Sequence, residues 1–274
     1  MSAAPSAPAT GAAPSSLTAT GLRLAYDDRV IVDGLDFAVP AGELTVIICP
    51  NACGKSTLLK ALARTLKPSA GQVSLDGKPL SSYRSKDIAK RLGMLPQSPI
   101  APEAITVRDL VGRGRFPHQG VFRQWSVSDE AACDRAMEST GVAELADRQV
   151  AELSGGQRQR AWIAMALAQE TELLLLDEPT TFLDIAHQYE VLELAARLHR
   201  EGRTLVVVLH DLNQAARYAT HLVVMKEGAI VAQGAPGEIV TAQLVDEVFG
   251  LPCQIIDDPQ SHTPMVVPLA AAAR

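Results

Sequence analysis

Between residues 173 and 225, apolar runs of strand length alternate with helix-patterned segments: Leu173 to Leu176, a helix from His187 to Arg200, Thr204 to Leu209, a helix from Leu212 to Tyr218, then Leu222 to Met225. Strands interrupted by helices return to a sheet by crossover, which makes them parallel and covers both sheet faces. An α/β fold with a parallel sheet is therefore expected. At 274 residues, and with ~150 residues per domain, the chain is one large domain or two small ones.

The N-terminal part reads differently. Leu17 to Tyr26 and Val30 to Val39, separated by Asp27-Asp28-Arg29, read as an antiparallel hairpin. Glu43 to Ile48 is a β-rich run that ends in a loop holding Pro50, Asn51 and Gly54. A helix is expected from Lys55 to Leu66, with Leu58, Leu59, Leu62 and Leu66 on one face and Pro68 past its end. Gln72 to Leu75 turns at Asp76-Gly77, a strong hairpin signal. From Gln97 to Leu153 the texture changes: Gly, Pro and Arg cluster in Gly112 to Gly120, and helices are expected at Val107 to Val111 and Asp129 to Gly141. This stretch reads as a helical insertion in the α/β core. Cys253 to Ile256 and Pro264 to Val267 suggest a small terminal hairpin, and no solenoid repeat is present.

Composition excludes several classes. The net charge of -6, from 31 acidic and 25 basic residues, argues against broad nucleic-acid binding. No apolar run approaches the ~20 residues needed to cross a bilayer. Ser2 to Ser16 has neither the basic nor the apolar part of a signal peptide and reads as a disordered leader over residues 1–16. Four cysteines are too few for a disulfide scaffold, and the cytoplasm is the expected compartment.

Cys49-Pro50-Asn51-Ala52-Cys53-Gly54-Lys55-Ser56, followed by Thr57, lies where strand passes into helix. A polyphosphate needs consecutive backbone N–H groups at a helix N-terminus, whose dipole favours negative charge. Lys55 is placed to neutralise the β- and γ-phosphates and Ser56 to bind Mg²⁺. The pattern departs from G-x-x-x-x-G-K-[ST] at Cys49, and Ala52 stands where a further glycine is common. Reduced ATP affinity is expected, not its loss. Cys53 sits beside a helix N-terminus, which can lower a thiol pKa; Cys49 and Cys53 are nonetheless expected to be inert thiols.

Leu173 to Leu176 leads into Asp177-Glu178, two carboxylates at the C-terminal end of a buried strand, where α/β sheets bind ligands. Asp177 is expected to hold Mg²⁺ and Glu178 to polarise the attacking water. Taken alone, an apolar strand ending in Asp-Glu is common; after a phosphate loop it is specific. Leu153-Ser154-Gly155-Gly156-Gln157 opens a helix extending to Gln169 and offers N–H groups, a hydroxyl and a dipole end to an anion. A plain Ser cap needs neither the two glycines nor the Gln.

In this order, these motifs resemble the ATP-binding-cassette (ABC) ATPase family from about Leu17 to Gly250. The resemblance implies a P-loop NTPase core (residues 17–96 and 160–250), an antiparallel β subdomain, an inserted helical subdomain (97–159) and a tail (251–274). It also implies ATP and Mg²⁺ as cofactors. By that resemblance Tyr26 stacks on adenine, Gln97 touches Mg²⁺ and the water, and Asp184 belongs to a loop that crosses to the partner subunit. His210 contacts the γ-phosphate, and Ser154, Gly155, Gly156 and Gln157 complete the ATP site of a second copy. Taken singly, Tyr26 reads as packing and His210 as a surface or cap residue.

Gly112-Arg113-Gly114-Arg115-Phe116-Pro117-His118-Gln119, His210-Asp211-Leu212-Asn213-Gln214-Ala215 and the tail are similar to ATPases of importers for ferric siderophores, with relatives handling cobalamin or haem. The implied unit is a homodimer with two transmembrane permease subunits and a substrate-binding protein, on the cytoplasmic face of the membrane, with no nucleic acid. The alternatives are cobalamin or haem import, an ATP-binding switch that hardly hydrolyses because of Cys49, and a soluble ABC protein acting on DNA or ribosomes. The last usually has two cassettes or a long coiled coil.

Overall fold

The computed structural model describes residues 17–27, 29–50, 53–120 and 125–270. The expected leader over residues 1–16 lies outside them, as do Asn51 and Ala52 of the phosphate loop. In chain order, β1 (Leu17–Tyr26) pairs antiparallel with β2 (Arg29–Val39), from Leu17 opposite Val39 to Tyr26 opposite Arg29, with register shifts between Ala19 and Ala25. Then come β3 (Leu44–Ile48), α1 (Lys55–Leu62), β4 (Ala70–Leu75), β5 (Lys78–Pro79), α2 (Ser85–Ala89) and β6 (Leu92–Leu95). A helical stretch follows: α3 (Val107–Gly112), a 3₁₀ turn over Arg113–His118, α4 (Val127–Ser139) and α5 (Gly155–Ala168). The chain returns through β7 (Leu173–Asp177), α6 (Ile185–Arg200), β8 (Thr204–Val208), α7 (Leu212–Tyr218), β9 (His221–Lys226) and β10 (Ala229–Gly234). It closes with α8 (Pro236–Ile239), α9 (Ala242–Phe249) and the hairpin β11 (Cys253–Asp257) with β12 (Pro264–Pro268).

The strands form a sheet in the order β10-β9-β3-β8-β7-β6, parallel from β9 to β6, and a separate antiparallel sheet in the order β2-β1-β4-β5. Every residue of β3, β7 and β8 is buried, as expected of strands covered on both faces. One apolar cluster joins α3, α4, α5, α6 and α7 to one face of the parallel sheet. A second lies between its other face, α1 and the antiparallel sheet. The carboxyl ends of β3, β7 and β8 lead into the loops carrying Cys49, Glu178 and His210.

Some boundaries differ from the sequence reading. Helix α1 stops at Leu62, not Leu66. Arg64 takes a φ of 60°, and the N–H groups of Arg64 and Thr65 bond to the carbonyls of Ala61 and Lys60, a Schellman ending. The division drawn at 159/160 falls inside α5, which runs unbroken across it.

The 3₁₀ turn is anchored by one buried side chain. Arg115, 4% exposed, donates from Nε to Asp129 at 2.9 Å and from Nη1 to the Ala168 carbonyl and to Glu170, each at 2.7 Å. Hydrogen bonds from Ser126 and then Arg115 hold the Asp129 carboxyl down at about 2. Removing one partner of a buried pair leaves the other charge uncompensated and costs about 3–5 kcal/mol. Arg115→Met is expected to lower unfolding stability by about that amount in urea titration; a loss below about 1 kcal/mol would place the pair among weak surface bridges.

Candidate active site

The turn after β3 and the start of α1 enclose one side of a cavity of about 420 Å³. Gly54 caps α1 with φ 105°, and a Cβ there would lie 3.0 Å from the Ile31 side chain. The positive φ favours glycine, and a Cβ would in addition press on Ile31. Lys55, 5% exposed, donates from Nζ to the Cys49 carbonyl at 3.0 Å. Burial pushes its ammonium pKa down, and the charges of Glu178 and Asp177 push back. Thr57 is buried and lines the same cavity.

Strand β7 ends at Asp177, and Glu178, the next residue, lines the same cavity. The Ser56 hydroxyl donates to Asp177 Oδ1 at 2.8 Å, while Asp177 Oδ2 is buried with no hydrogen-bond partner. Burial raises the Asp177 pKa, and the Glu178 charge adds to the rise. A buried carboxylate oxygen without a donor is a costly arrangement that a cation relieves. Among the described residues, no group of three or more His, Cys, Asp or Glu side chains is arranged to hold a metal. The donor set here suits a cation that takes most of its oxygens from a phosphate and water.

Glu178, 7% exposed and at φ 50°, is held from two directions. Gln97 donates to its Oε2, and His210 Nε2 lies 2.7 Å from its Oε1. The structure thus brings Gly54, Lys55, Ser56, Thr57, Gln97, Glu178 and His210 around one cavity. Arg29 and Ile31 of β2 also line it. The sequence reading missed both, because only pairing with β1 carries them there. Tyr26 sits opposite Arg29 at the hairpin end, 44% exposed, and is not among the cavity-lining residues.

The other expected site residues lie elsewhere. Ser154 caps α5: its hydroxyl accepts from Gln157 N–H at 3.3 Å, and the Gln157 side chain accepts from Ser154 N–H at 3.1 Å. Gly156 packs so tightly that a Cβ would fall 2.3 Å from the His187 ring. Asp184 caps α6 and holds that ring through a 2.6 Å contact to Nδ1. Ser154, Gly155 and Asp184 are exposed, and none of the Ser154–Gln157 residues lines the phosphate-loop cavity.

One expectation is corrected. Cys49 and Cys53 are not two separate inert thiols; they are joined as a disulfide, with Cα atoms 6.4 Å apart. Their spacing in sequence announces no bond.

The ABC transporter family model matches residues 32–181, more than half of the chain. The chain belongs to the ABC transporter family. ABC transporter ATP-binding proteins are ATPases, and this ABC protein is an ATPase accordingly. It is 56% identical over 253 residues to the ferric enterobactin transport ATP-binding protein FepC of Escherichia coli (strain K12), covering 92% of this chain and 93% of that one. It is 48% identical over 252 residues to the iron(3+)-hydroxamate import ATP-binding protein FhuC of Bacillus subtilis (strain 168), covering 92% and 94%. Among solved structures, an ABC transporter described as of metal-chelate type, in an inward-facing conformation, superposes with a TM-score of 0.80. It is 30% identical, covering 94% of this chain and 98% of that chain. The P-loop NTPase α/β architecture expected from the resemblance is the fold of this ABC ATPase.

Proposed function

We propose that this chain hydrolyses ATP to drive import of an iron(III)-siderophore complex, as one of two identical subunits docked on two membrane-spanning permease subunits served by a substrate-binding protein. The observation that carries the chemistry is Glu178, fixed between Gln97 and His210 and facing Lys55 and Ser56 across a single cavity. The cargo rests on relatives named for ferric enterobactin transport and iron(3+)-hydroxamate import. No helix among the described residues is long and apolar enough to cross a membrane, so membrane contact falls to partners.

In this reading the triphosphate lies along the loop from Cys49 to Thr57, with Lys55 against the β- and γ-phosphates. Mg²⁺ would be held by Ser56, Asp177 and Gln97, and when bound it neutralises phosphate charge. Glu178 accepts a proton from the attacking water, and Gln97, Thr181 and His210 hold its carboxylate in place. His210 stands at the γ-phosphate end, and loss of that phosphate removes its contact. Tyr26 stacks on the adenine. The exposed cap at Ser154 to Gln157, with Asp184 beside it, completes the site of a second copy. Two apolar side chains next to Asp184 support a contact there: Phe182 is 91% exposed and Ile185 72%. Closure on ATP and reopening after hydrolysis form a nucleotide switch with a global readout.

A cleft of about 760 Å³ lies on the helical side, lined by Arg108, Asp109, Gly112, Arg113, Phe116 and Trp125 among others. Phe116 is 65% exposed and Trp125 46%. This cleft receives a short helix of the permease.

Two tests apply. Cells lacking this chain are expected to stop accumulating radiolabelled iron from iron(III)-siderophore complexes, and to recover with the wild-type chain but not with Lys55→Ala. Undiminished accumulation without the chain contradicts the cargo assignment. Gly156→Ala forces the α5 cap away from His187. A displacement near 1 Å at a site that must meet the partner's triphosphate is expected to cut turnover on the order of 100-fold. ATP binding to the isolated subunit should persist, since Gly156 is remote from the loop; lost binding would contradict the assignment.

A further inference from the structure

We propose that Gln214 and Gln188 form an amide relay that keeps the Leu183–Asp184 turn in step with His210, so that the face offered to a second copy follows the γ-phosphate contact. The inference rests on the nucleotide-site reading above and names two positioning residues for it.

Helix α7 begins just after His210. Asp211 caps it, and the Asp211 side chain accepts from the Gln214 N–H at 2.7 Å. This first turn fixes Gln214 relative to His210. Gln214 is 7% exposed, and its Nε2 donates to Gln188 Oε1 at 2.7 Å. Gln188, in the first turn of α6, passes the connection on: its own Nε2 donates to the Leu183 carbonyl at 3.0 Å. Packing alone would be served by Leu or Met at these positions. A buried amide costs free energy unless its polar ends are bonded, and it offers a donor at one end and an acceptor at the other. Gln188 uses both, which makes it a connector.

The turn that receives this bond starts at Glu178. Glu178 has φ 50° and Phe182 φ 64°, a conformation that side chains of this size hold only under restraint. Thr181 bonds back to Glu178, from its N–H to the carbonyl at 3.2 Å and from Oγ1 to the carboxylate at 3.3 Å. His210 Nε2 contacts Glu178 Oε1 at the start of the turn, and the relay holds Leu183 near its end. One short segment, His210 to Gln214, thus grips the turn at both ends. Beyond the relay, the Leu183 side chain and the Phe182 carbonyl lie against the start of α5, each 3.7 Å from where a Gly155 Cβ would stand. A shift of His210 is thereby carried through contiguous contacts to the α5 cap and to Asp184.

Four variants test this: Gln214→Met, Gln188→Met, the double variant of these two, and His210→Ala. Steady-state ATP hydrolysis is measured on the chain assembled with its permease subunits, and thermal unfolding on the full chain alone. Each single Met variant strands a polar end of the other amide and is expected to lower the unfolding temperature by roughly 2–4 °C. The double variant removes both amides, and water replaces the donor at the part-exposed Leu183, so its unfolding temperature should return toward that of the wild type. Turnover should not return. In all three Met variants kcat is expected at least ~10-fold below wild type, with KM for ATP within about twofold. A merely structural pair would give back turnover along with stability. The relay is overturned if turnover follows the unfolding temperature across these variants, or if kcat in the double variant lies within about twofold of wild type. A KM that rises in step with the fall in kcat overturns it as well. If a single variant fails to fold, the double variant alone decides. His210→Ala separates the two readings: it is expected to lose turnover, whereas wild-type turnover there overturns the role given to His210 in the nucleotide site and the relay with it.

Discussion

Glu178→Gln is expected to bind ATP at near wild-type affinity while hydrolysing it at least ~100-fold more slowly, a barrier increase of about 2.7 kcal/mol. The reasoning is geometric. Gln is nearly the size of Glu, so the positions set by Gln97 and His210 survive, but an amide cannot take a proton from water. The phosphate side of the cavity, with Lys55 and Ser56, is untouched. With hydrolysis stalled, the ATP-joined pair of subunits should accumulate and elute as a dimer in size-exclusion chromatography. Wild-type turnover in this variant would remove Glu178 from the role of base.

Lys55→Ala is the complementary case. Lys55 is the buried cation of the loop; its charge faces Asp177 and Glu178 when no phosphate is present, and it would face the β- and γ-phosphates when one is. A hydrogen bond to a charged group contributes about 1.5–3 kcal/mol, so ATP affinity should fall by roughly 10- to 100-fold. Isothermal titration calorimetry reads this directly. Unchanged affinity would mean that the triphosphate does not lie on this loop. The two variants therefore separate binding from chemistry: one keeps the ligand and loses the reaction, the other loses the ligand.

The parts of the fold legible in sequence were those with strong periodicity. The runs Leu173 to Leu176 and Thr204 to Leu209 are apolar throughout because both sheet faces are covered, and β7 and β8 lie there. The Asp76-Gly77 turn between β4 and β5 has φ of 51° and 74°, the geometry that its residues favour. Strand β10 went unread because it is the outer strand of its sheet and only half covered, which weakens the pattern. Helix α1 was drawn too long because Leu66 continues the apolar face although Arg64 turns the backbone away. Around the cavity, motif residues were legible from their local order. Arg29, Ile31, the Arg115–Asp129 pair and the packing of Gly156 on His187 depend on contacts between segments distant in sequence, and no local pattern encodes those.

The central claim is that each ATP is shared by two copies of the chain. The most direct measurement is a crystal structure of Glu178→Gln grown with Mg²⁺ and ATP. The predicted result is a triphosphate against Lys55 and Ser56 of one copy, covered by Ser154 to Gln157 of the other. A triphosphate bound within one copy alone, with both α5 caps facing solvent, or a nucleotide found away from the loop after β3, would contradict the account.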